Sequence, residues 1–194
     1  IFRDGLKIIR HNKIVRILAI DTALGFIMFY FILWLYQPLF IKGGLGLIYW
    51  GIFAAVMNLI AILVLEKIDI FEKFFGKKKL IYLSVIIPAS LYLLSSFVSS
   101  IYILIPIVWS IFAISAMRRP LLQSYMNHYI PSAQRATVNS MASMLQTFLI
   151  IVINPLLGML VDFSHDTALL SLGLAGLAIG VISKFHVQEN FLRK

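Results

Sequence analysis

The chain has 194 residues and a formal net charge of +9; 61% of its residues are hydrophobic and only 13% are charged. A soluble domain is about half apolar and about a quarter charged, so this composition excludes both a soluble globular domain and a disordered chain. The mean hydropathy of +0.95 instead indicates an integral membrane protein. Because the sequence contains no cysteine, disulfides, thiol catalysis and cysteine-ligated metals are excluded.

The first sixteen residues alternate apolar and basic side chains, a pattern typical of a helix on a membrane surface. They lack the continuous apolar core of a cleavable signal peptide. We therefore expect residues 1–16 to form an amphipathic cytoplasmic linker helix. The rest of the chain divides into a six-helix transmembrane domain, residues 17–190, and a cytoplasmic tail, residues 191–194.

The transmembrane domain contains six apolar segments long enough to cross a bilayer as helices. None alternates with a period of two, so membrane strands are not expected. The fold class is therefore all-α. The predicted spans one to six cover about residues 17–41, 46–65, 80–98, 101–117, 136–161 and 167–182.

The basic residues are divided unequally between the two sides of this map. Segments 1–16, 66–79, 118–135 and 183–194 hold 16 of the 17 lysines and arginines, and Lys42 is the exception. Cytoplasmic loops of membrane proteins carry such an excess. The distribution predicts a multi-pass cell-membrane protein with both ends of the chain cytoplasmic, and it explains the net charge without nucleic acid as a partner.

Span five carries a stripe of polar side chains at helical spacing, which a helix surrounded by lipid would not have. The stripe indicates either hydrogen bonding between helices or the wall of a water-filled cavity; both interpretations stay open. Its residues are Asn139, Ser143, Gln146, Thr147 and Asn154.

Several aromatic and amide side chains form candidate substrate-binding positions. Span one presents three of them on one face, an arrangement that suits an amphipathic ligand. Span two contributes an asparagine, span four a tryptophan and span five a glutamine. An interfacial aromatic belt or plain helix packing is the alternative for each. The candidates are Tyr30, Trp34, Gln37, Asn58, Trp109 and Gln146.

Asp21 is the one acidic residue well inside a predicted span. An intramembrane carboxylate is a functional candidate by default, and we consider Asp21 a candidate for proton or substrate coupling. Because it lies one to two turns from the cytoplasmic end, solvent or Arg16 could instead satisfy it structurally.

The sequence lacks the motifs of membrane enzymes and ATPases. Its four histidines are far apart in loops or tails, so no metal site is expected, and no G-x-x-x-x-G-K-[ST] motif occurs. We therefore expect no catalytic residues, no cofactor and no enzymatic activity.

Three segments carry a resemblance to a transporter family. Residues 119–140 contain Arg119-Pro120, Tyr125-x-Asn127, Ile130-Pro131-Ser132 and Arg135-Ala136-Thr137. This segment resembles the loop between helices ten and eleven of major facilitator superfamily transporters. The run 34–38, WLYQP, resembles the end of helix seven, and Glu66-Lys67 with Gly76 and three lysines resembles the acidic–glycine–basic loop between helices eight and nine.

The resemblance implies the C-terminal six-helix half of a twelve-helix transporter, built as a 3+3 inverted repeat. It implies that spans one and four line a central cavity, that spans two and five face the N-terminal half, and that spans three and six face lipid. Arg119 and Arg135 would brace the cytoplasmic ends of spans four and five as conformational gates. The implied partners are the N-terminal half of the same transporter, membrane lipid, a small organic substrate and a proton.

Two hypotheses for function follow. The first is secondary active transport of a small organic molecule by alternating access. The second is a six-helix membrane binding or scaffold protein acting as a dimer. Unsatisfied polar groups cost several kcal/mol in lipid, so the stripe on span five disfavours a lone monomer.

Overall fold

The structure is a computed structural model that describes residues 9–190, with side chains through residue 184. Within that part every regular element is a helix. Six helices are long and apolar enough to cross a membrane, which confirms the predicted count of spans. Spans one to six are Lys13–Lys42, Trp50–Glu66, Lys77–Phe97, Ile101–Asn127, Arg135–Phe163 and His165–Asn190.

Three shorter elements lie between the spans. The 3-10 turns Leu47–Tyr49 and Ser132–Gln134 lead into spans two and five. The helix Ile68–Phe75 occupies the connection from span two to span three, and we call it the interfacial helix. It ends at Gly76, whose φ of 76° lies in the region that favours glycine.

Span one begins earlier than predicted because Asn12 caps it. The Asn12 Oδ1 atom accepts hydrogen bonds from the backbone N–H groups of Ile14 and Val15, at 3.1 and 3.2 Å, which satisfies two donors left open at a helix start. Residues 13–16 of the predicted linker helix therefore form the first turn of span one. Residues 1–8 of that linker and the tail at 191–194 lie outside the described residues.

Span four continues to Asn127 instead of ending at Met117. The added turns keep a buried apolar face formed by Leu121, Leu122 and Met126. The sequence prediction ended the span at the first arginine and therefore placed Arg118 in a cytoplasmic loop. That placement is wrong, because Arg118 belongs to the helix of span four and its side chain is buried between the spans.

The core is formed mainly by spans one, three, four and six. Span one packs against span four, and span three packs along span six. Glycines on span six allow this second approach: a methyl group at Gly173 would lie 2.5 Å from the Leu93 side chain, and one at Gly176 would lie 2.7 Å from Ala89. Small residues let membrane helices approach closely.

Spans two and five remain largely uncovered. Span two packs against span four and span five against span one, but span two buries only Met57 and Ala61 among its residues. Span five buries five of its residues, namely Val138, Ala142, Gln146, Ile150 and Leu157. Each of these two spans therefore presents most of its surface outward.

Candidate functional site

A buried ion pair joins spans one and four. The Arg118 Nη2 atom lies 2.7 Å from the Asp21 Oδ2 atom, and the two side chains are 2% and 4% exposed. Placing two charges in an apolar environment is costly unless they pair and satisfy their remaining hydrogen-bonding groups. The surroundings of the pair meet that condition in large part.

Two serines extend the pair into a network that reaches four spans. The Arg118 guanidinium donates to the Ser84 and Ser183 hydroxyl oxygens, each at 2.8 Å, and to the Ile81 carbonyl at 2.6 Å. Ser183 in turn donates to the Asp21 Oδ1 atom. Spans one, three, four and six thus meet at one polar cluster, which we call the inner network: Asp21, Ser84, Arg118 and Ser183.

Gly25 makes the space that the arginine occupies. It lies one helical turn from Asp21 on span one, and a methyl group built on it would overlap the Nε and Cδ atoms of Arg118. A side chain at this position would therefore displace the guanidinium from its partners. Gly25 is what allows spans one and four to enclose the side chain of an arginine between them.

Asp21 is paired, but not with the partners expected from the sequence. Its low exposure leaves no role for solvent, and the Arg16 side chain donates to the Arg10 carbonyl at 3.1 Å. The expectation that solvent or Arg16 satisfies Asp21 is therefore wrong. Sequence reasoning missed Arg118, Ser84 and Ser183 as its neighbours, because each belongs to a different span.

A partly open cavity of about 230 Å³ lies beside the inner network. Two of its wall residues contain buried donors with no hydrogen-bond partner among the described residues, the Ser115 Oγ and Arg118 Nε atoms. Most of the other lining residues are apolar, so the cavity combines an apolar wall with a few polar groups, as ligand pockets usually do. Its lining comprises Thr22, Gly25, Phe26, Phe29, Leu65, Ser115, Ala116, Arg118, Arg119 and Pro120.

The predicted aromatic face of span one lies on a different side of the helix from Asp21. Tyr30 contacts the ring of Trp34 at a centroid distance of 6.4 Å, and its hydroxyl accepts a hydrogen bond from Asn154 of span five at 3.3 Å. Trp34 is 65% exposed. Gln37, also exposed, donates to the neighbouring Tyr36 hydroxyl at 3.3 Å.

The other candidate substrate-binding residues are not joined to Tyr30. Trp109 stacks on Phe53 of span two and donates to the Phe53 carbonyl at 3.2 Å. Asn58 donates to the Ala54 carbonyl of its own helix at 2.8 Å, and Gln146 is buried. Among the described residues, no direct hydrogen bond or ring contact joins any of these three to Tyr30, Trp34 or Gln37. Trp109 is connected to Gln37 only indirectly, through the rings of Phe53, Phe40 and Tyr36.

The two candidate gating arginines lie at the same end of the molecule. Arg119 donates to the Ser143 hydroxyl at 3.2 Å and so bridges spans four and five. Arg135 donates from Nε to the Ile130 carbonyl at 3.2 Å, which holds the turn between those spans. Only the Arg119 contact joins the two spans directly, whereas the Arg135 contact lies within the turn before span five. The gating role of both residues stays a prediction.

A second ion pair lies at the opposite end of the bundle and was not predicted. Lys42 at the end of span one contacts Asp166 at the start of span six at 2.7 Å, with side chains 23% and 46% exposed. The same ammonium donates to the Ser96 carbonyl of span three at 3.1 Å. We call these three residues the outer clamp. The signal in the sequence was the isolation of Lys42 from all other basic residues.

Within residues 9–184, no group of three or more histidine, aspartate or glutamate residues could hold a metal ion. Comparison of the chain with protein-family models, with curated proteins and with solved structures found no match. The candidate site is therefore defined by its own geometry: a buried charge network beside a cavity, between spans one and four.

Proposed function

We propose that the chain is one six-helix half of a secondary transporter similar to the major facilitator superfamily. It would carry a small organic molecule across the cell membrane by alternating access. The observation that carries this proposal is that the two spans with the fewest buried residues, spans two and five, also expose polar side chains on their outward faces.

The uncovered spans expose three polar side chains, each of which donates one hydrogen bond within the bundle. Thr147 and Asn154 on span five and Asn58 on span two are exposed, and polar residues inside membranes usually face other helices or water. This supports an N-terminal half, or a water-filled cavity between two halves, on that side. The same face would suit a second copy of the chain, which is the scaffold alternative.

The inner network supports a coupling role for Asp21. A proton on its carboxylate would remove the negative charge opposite Arg118, so the ion pair between spans one and four would weaken. Spans one and four line the cavity, so loss of the pair would change the packing of its walls. In this mechanism the proton and the substrate act on the same two helices.

The proposed substrate is a neutral or amphipathic organic molecule. Phe26 and Phe29 line the cavity and lie 5.8 Å apart between ring centroids, and the ring of Phe26 lies 6.2 Å from that of Tyr30. Aromatic side chains therefore run from the cavity to the predicted face of span one. They supply apolar contact, and the free donors of Ser115 and Arg118 would orient a polar group.

The proposed orientation places both ends of the chain and the interfacial helix in the cytoplasm. The chain has no cysteine, so single cysteines at Lys77 and Ser164 can be labelled with an impermeant maleimide in a clean background. We expect labelling from opposite sides of the membrane. Labelling of both from the same side would contradict the map of spans.

Alternating access can be tested on span five without knowing the substrate. A cysteine at Thr147 would be labelled from one side at a rate that depends on which way the cavity opens. We expect Arg119→Ala, which removes the bridge to Ser143, to change the ratio of labelling from the two sides. A cysteine at Leu174 on span six, also exposed, serves as the lipid-facing control and should stay unlabelled.

The outcomes separate the two hypotheses. Two-sided access at Thr147 that shifts with Arg119→Ala supports a transporter, whereas complete protection of Thr147 from both sides supports a sealed dimer. With a transported substrate in hand, Asp21→Asn should abolish proton-driven accumulation while substrate exchange persists. Both are measured per folded molecule, because the variant leaves the Arg118 charge buried without its partner. Persistent accumulation in that variant would assign Asp21 a structural role only.

A further inference from the structure

A second cavity opens between spans two, three and four, away from the inner-network cavity. Spans two and three each pack against span four rather than against each other, and this leaves a partly open groove of about 310 Å³. We call it the lateral groove. Its walls are apolar apart from Ser84 and Ser110, and the interfacial helix closes one end with Phe71 and Phe75.

The closed end of the lateral groove adjoins a run of lysines. Lys77, Lys78 and Lys79 begin span three, directly before the lining residue Leu80. The Lys79 ammonium lies 5.7 Å from the ring centroid of Phe75, which is part of the groove wall. Positive charge therefore stands at the point where the apolar groove meets the membrane surface.

Two of these lysines are available to a ligand. Glu72 pairs with Lys77 at 3.5 Å, and Glu66 pairs with Lys67 at 3.7 Å. Lys78 and Lys79 have no carboxylate partner among the described residues. Lysine clusters at the membrane surface attract anionic lipid headgroups.

The lateral groove is long enough to hold about two thirds of an acyl chain in one leaflet. From Leu80 to Ile87 the lining of span three extends roughly 10 Å along the helix axis. One leaflet of hydrocarbon is roughly 15 Å deep. A chain that enters through the open side of the groove would lie along it toward the middle of the bilayer, with its headgroup at the lysine end and only two hydroxyl groups in the groove walls.

We propose that the lateral groove binds one anionic phospholipid, with an acyl chain between spans two, three and four and its phosphate at Lys78 and Lys79. The site is separate from the transport cavity and does not depend on the proposed function. Since Ser84 belongs both to the groove wall and to the inner network, the lipid would also touch a residue that holds Arg118.

The test is native mass spectrometry of the delipidated chain in detergent, titrated with phosphatidylglycerol or with phosphatidylcholine of the same acyl chains. We expect one phosphatidylglycerol to bind more tightly than phosphatidylcholine. The double variant K78A/K79A should weaken phosphatidylglycerol binding about five- to thirtyfold and leave phosphatidylcholine binding nearly unchanged. The matched control K13A/R16A, which removes two exposed charges at the start of span one, should change neither.

The acyl-chain part of the site is tested separately by filling the groove. Ser110→Phe should weaken the binding of both lipids, and Ser110→Ala should not. Ile87→Trp fills the groove from its partly exposed rim and gives the same test if Ser110→Phe fails to fold. Equal affinity for the two lipids, or an equal loss in K78A/K79A and K13A/R16A, would overturn the headgroup assignment. Unchanged binding in both folded filling variants would overturn the acyl-chain assignment.

Discussion

Spans one and six are tied together by charge at both ends of the bundle, in two different ways. At one end Asp21, Arg118 and Ser183 join them through a buried cluster. At the other end Lys42 contacts Asp166 directly. Both ion pairs have a separation of 2.7 Å, so distance alone does not distinguish them.

The difference lies in their surroundings. The side chains of the inner pair are 2% and 4% exposed, although Arg118 lines the partly open cavity of about 230 Å³. Those of the outer pair are 23% and 46% exposed and border an open cavity of about 420 Å³ that His165 also lines. A buried pair contributes little when intact but is costly to break, because the remaining charge stays desolvated. A solvated pair loses little when broken, since water replaces the partner. We therefore expect the inner pair to determine how spans one and four pack, and the outer pair to add only a small stabilisation.

The largest effect is expected when the inner pair is broken on one side. Arg118→Met leaves the Asp21 carboxylate buried without its counter-charge, and should lower the free energy of unfolding by about 3–5 kcal/mol. The measurement is unfolding in mixed micelles by titration with a denaturing detergent. The double variant D21L/R118M, which removes both charges, should recover most of the loss; a double variant as unstable as Arg118→Met would show that the charge is not the cause.

A methyl group at Gly25 tests the same network through its geometry. Gly25→Ala should push the guanidinium of Arg118 from its position and cost about 1–3 kcal/mol, as overpacking of a core does. Gly51→Ala on span two is the matched control, because a methyl group there meets nothing within 4 Å. Equal stability of the two variants in micelles would mean that Arg118 adapts without strain.

Removal of one serine hydroxyl should have a smaller effect. Ser183→Ala leaves the ion pair intact but withdraws one donor from Asp21 and one acceptor from Arg118, at a cost of about 1–2 kcal/mol. Its control is Ser171→Ala on the same span, where the hydroxyl donates only to the Thr167 carbonyl of its own helix. A loss no greater than in Ser171→Ala would mean that the Ser183 hydroxyl contributes nothing to the stability of the inner network.

The sequence predicted the spans well because membrane helices are specified locally. About twenty apolar residues in a row suffice to identify each one, and Asp21 was visible as an acid within such a run. The end of span four was misplaced because Arg118, Arg119 and Pro120 together have the composition of a loop. Membrane helices accept proline in their interior, and Arg118 stays in the helix because its charge is paired.

The partners of Asp21 could not be predicted, because they are defined by contacts between distant parts of the chain. Arg118 and Ser183 are 97 and 162 residues away along the sequence. The aromatic candidates show the same limit. Helical spacing correctly put Tyr30 and Trp34 on one face, where their rings are in contact. It could not show that Trp109 of span four is held by Phe53 of span two. Helical spacing determines a shared face, whereas the neighbour of that face depends on the packed bundle.

The smallest effect is expected at the outer clamp, and its salt dependence sharpens the comparison. Lys42→Ala should lower the free energy of unfolding by about 0.2–1 kcal/mol, the range of solvent-exposed pairs. Because screening acts on exposed charges and much less on buried ones, the loss should shrink as salt is raised, while the loss in Arg118→Met should not. The measurement is the same micelle titration at low and high sodium chloride. A large, salt-independent loss in Lys42→Ala would contradict this expectation. It would mean that the main contribution of Lys42 is its hydrogen bond to the Ser96 carbonyl of span three rather than its ion pair with Asp166 of span six.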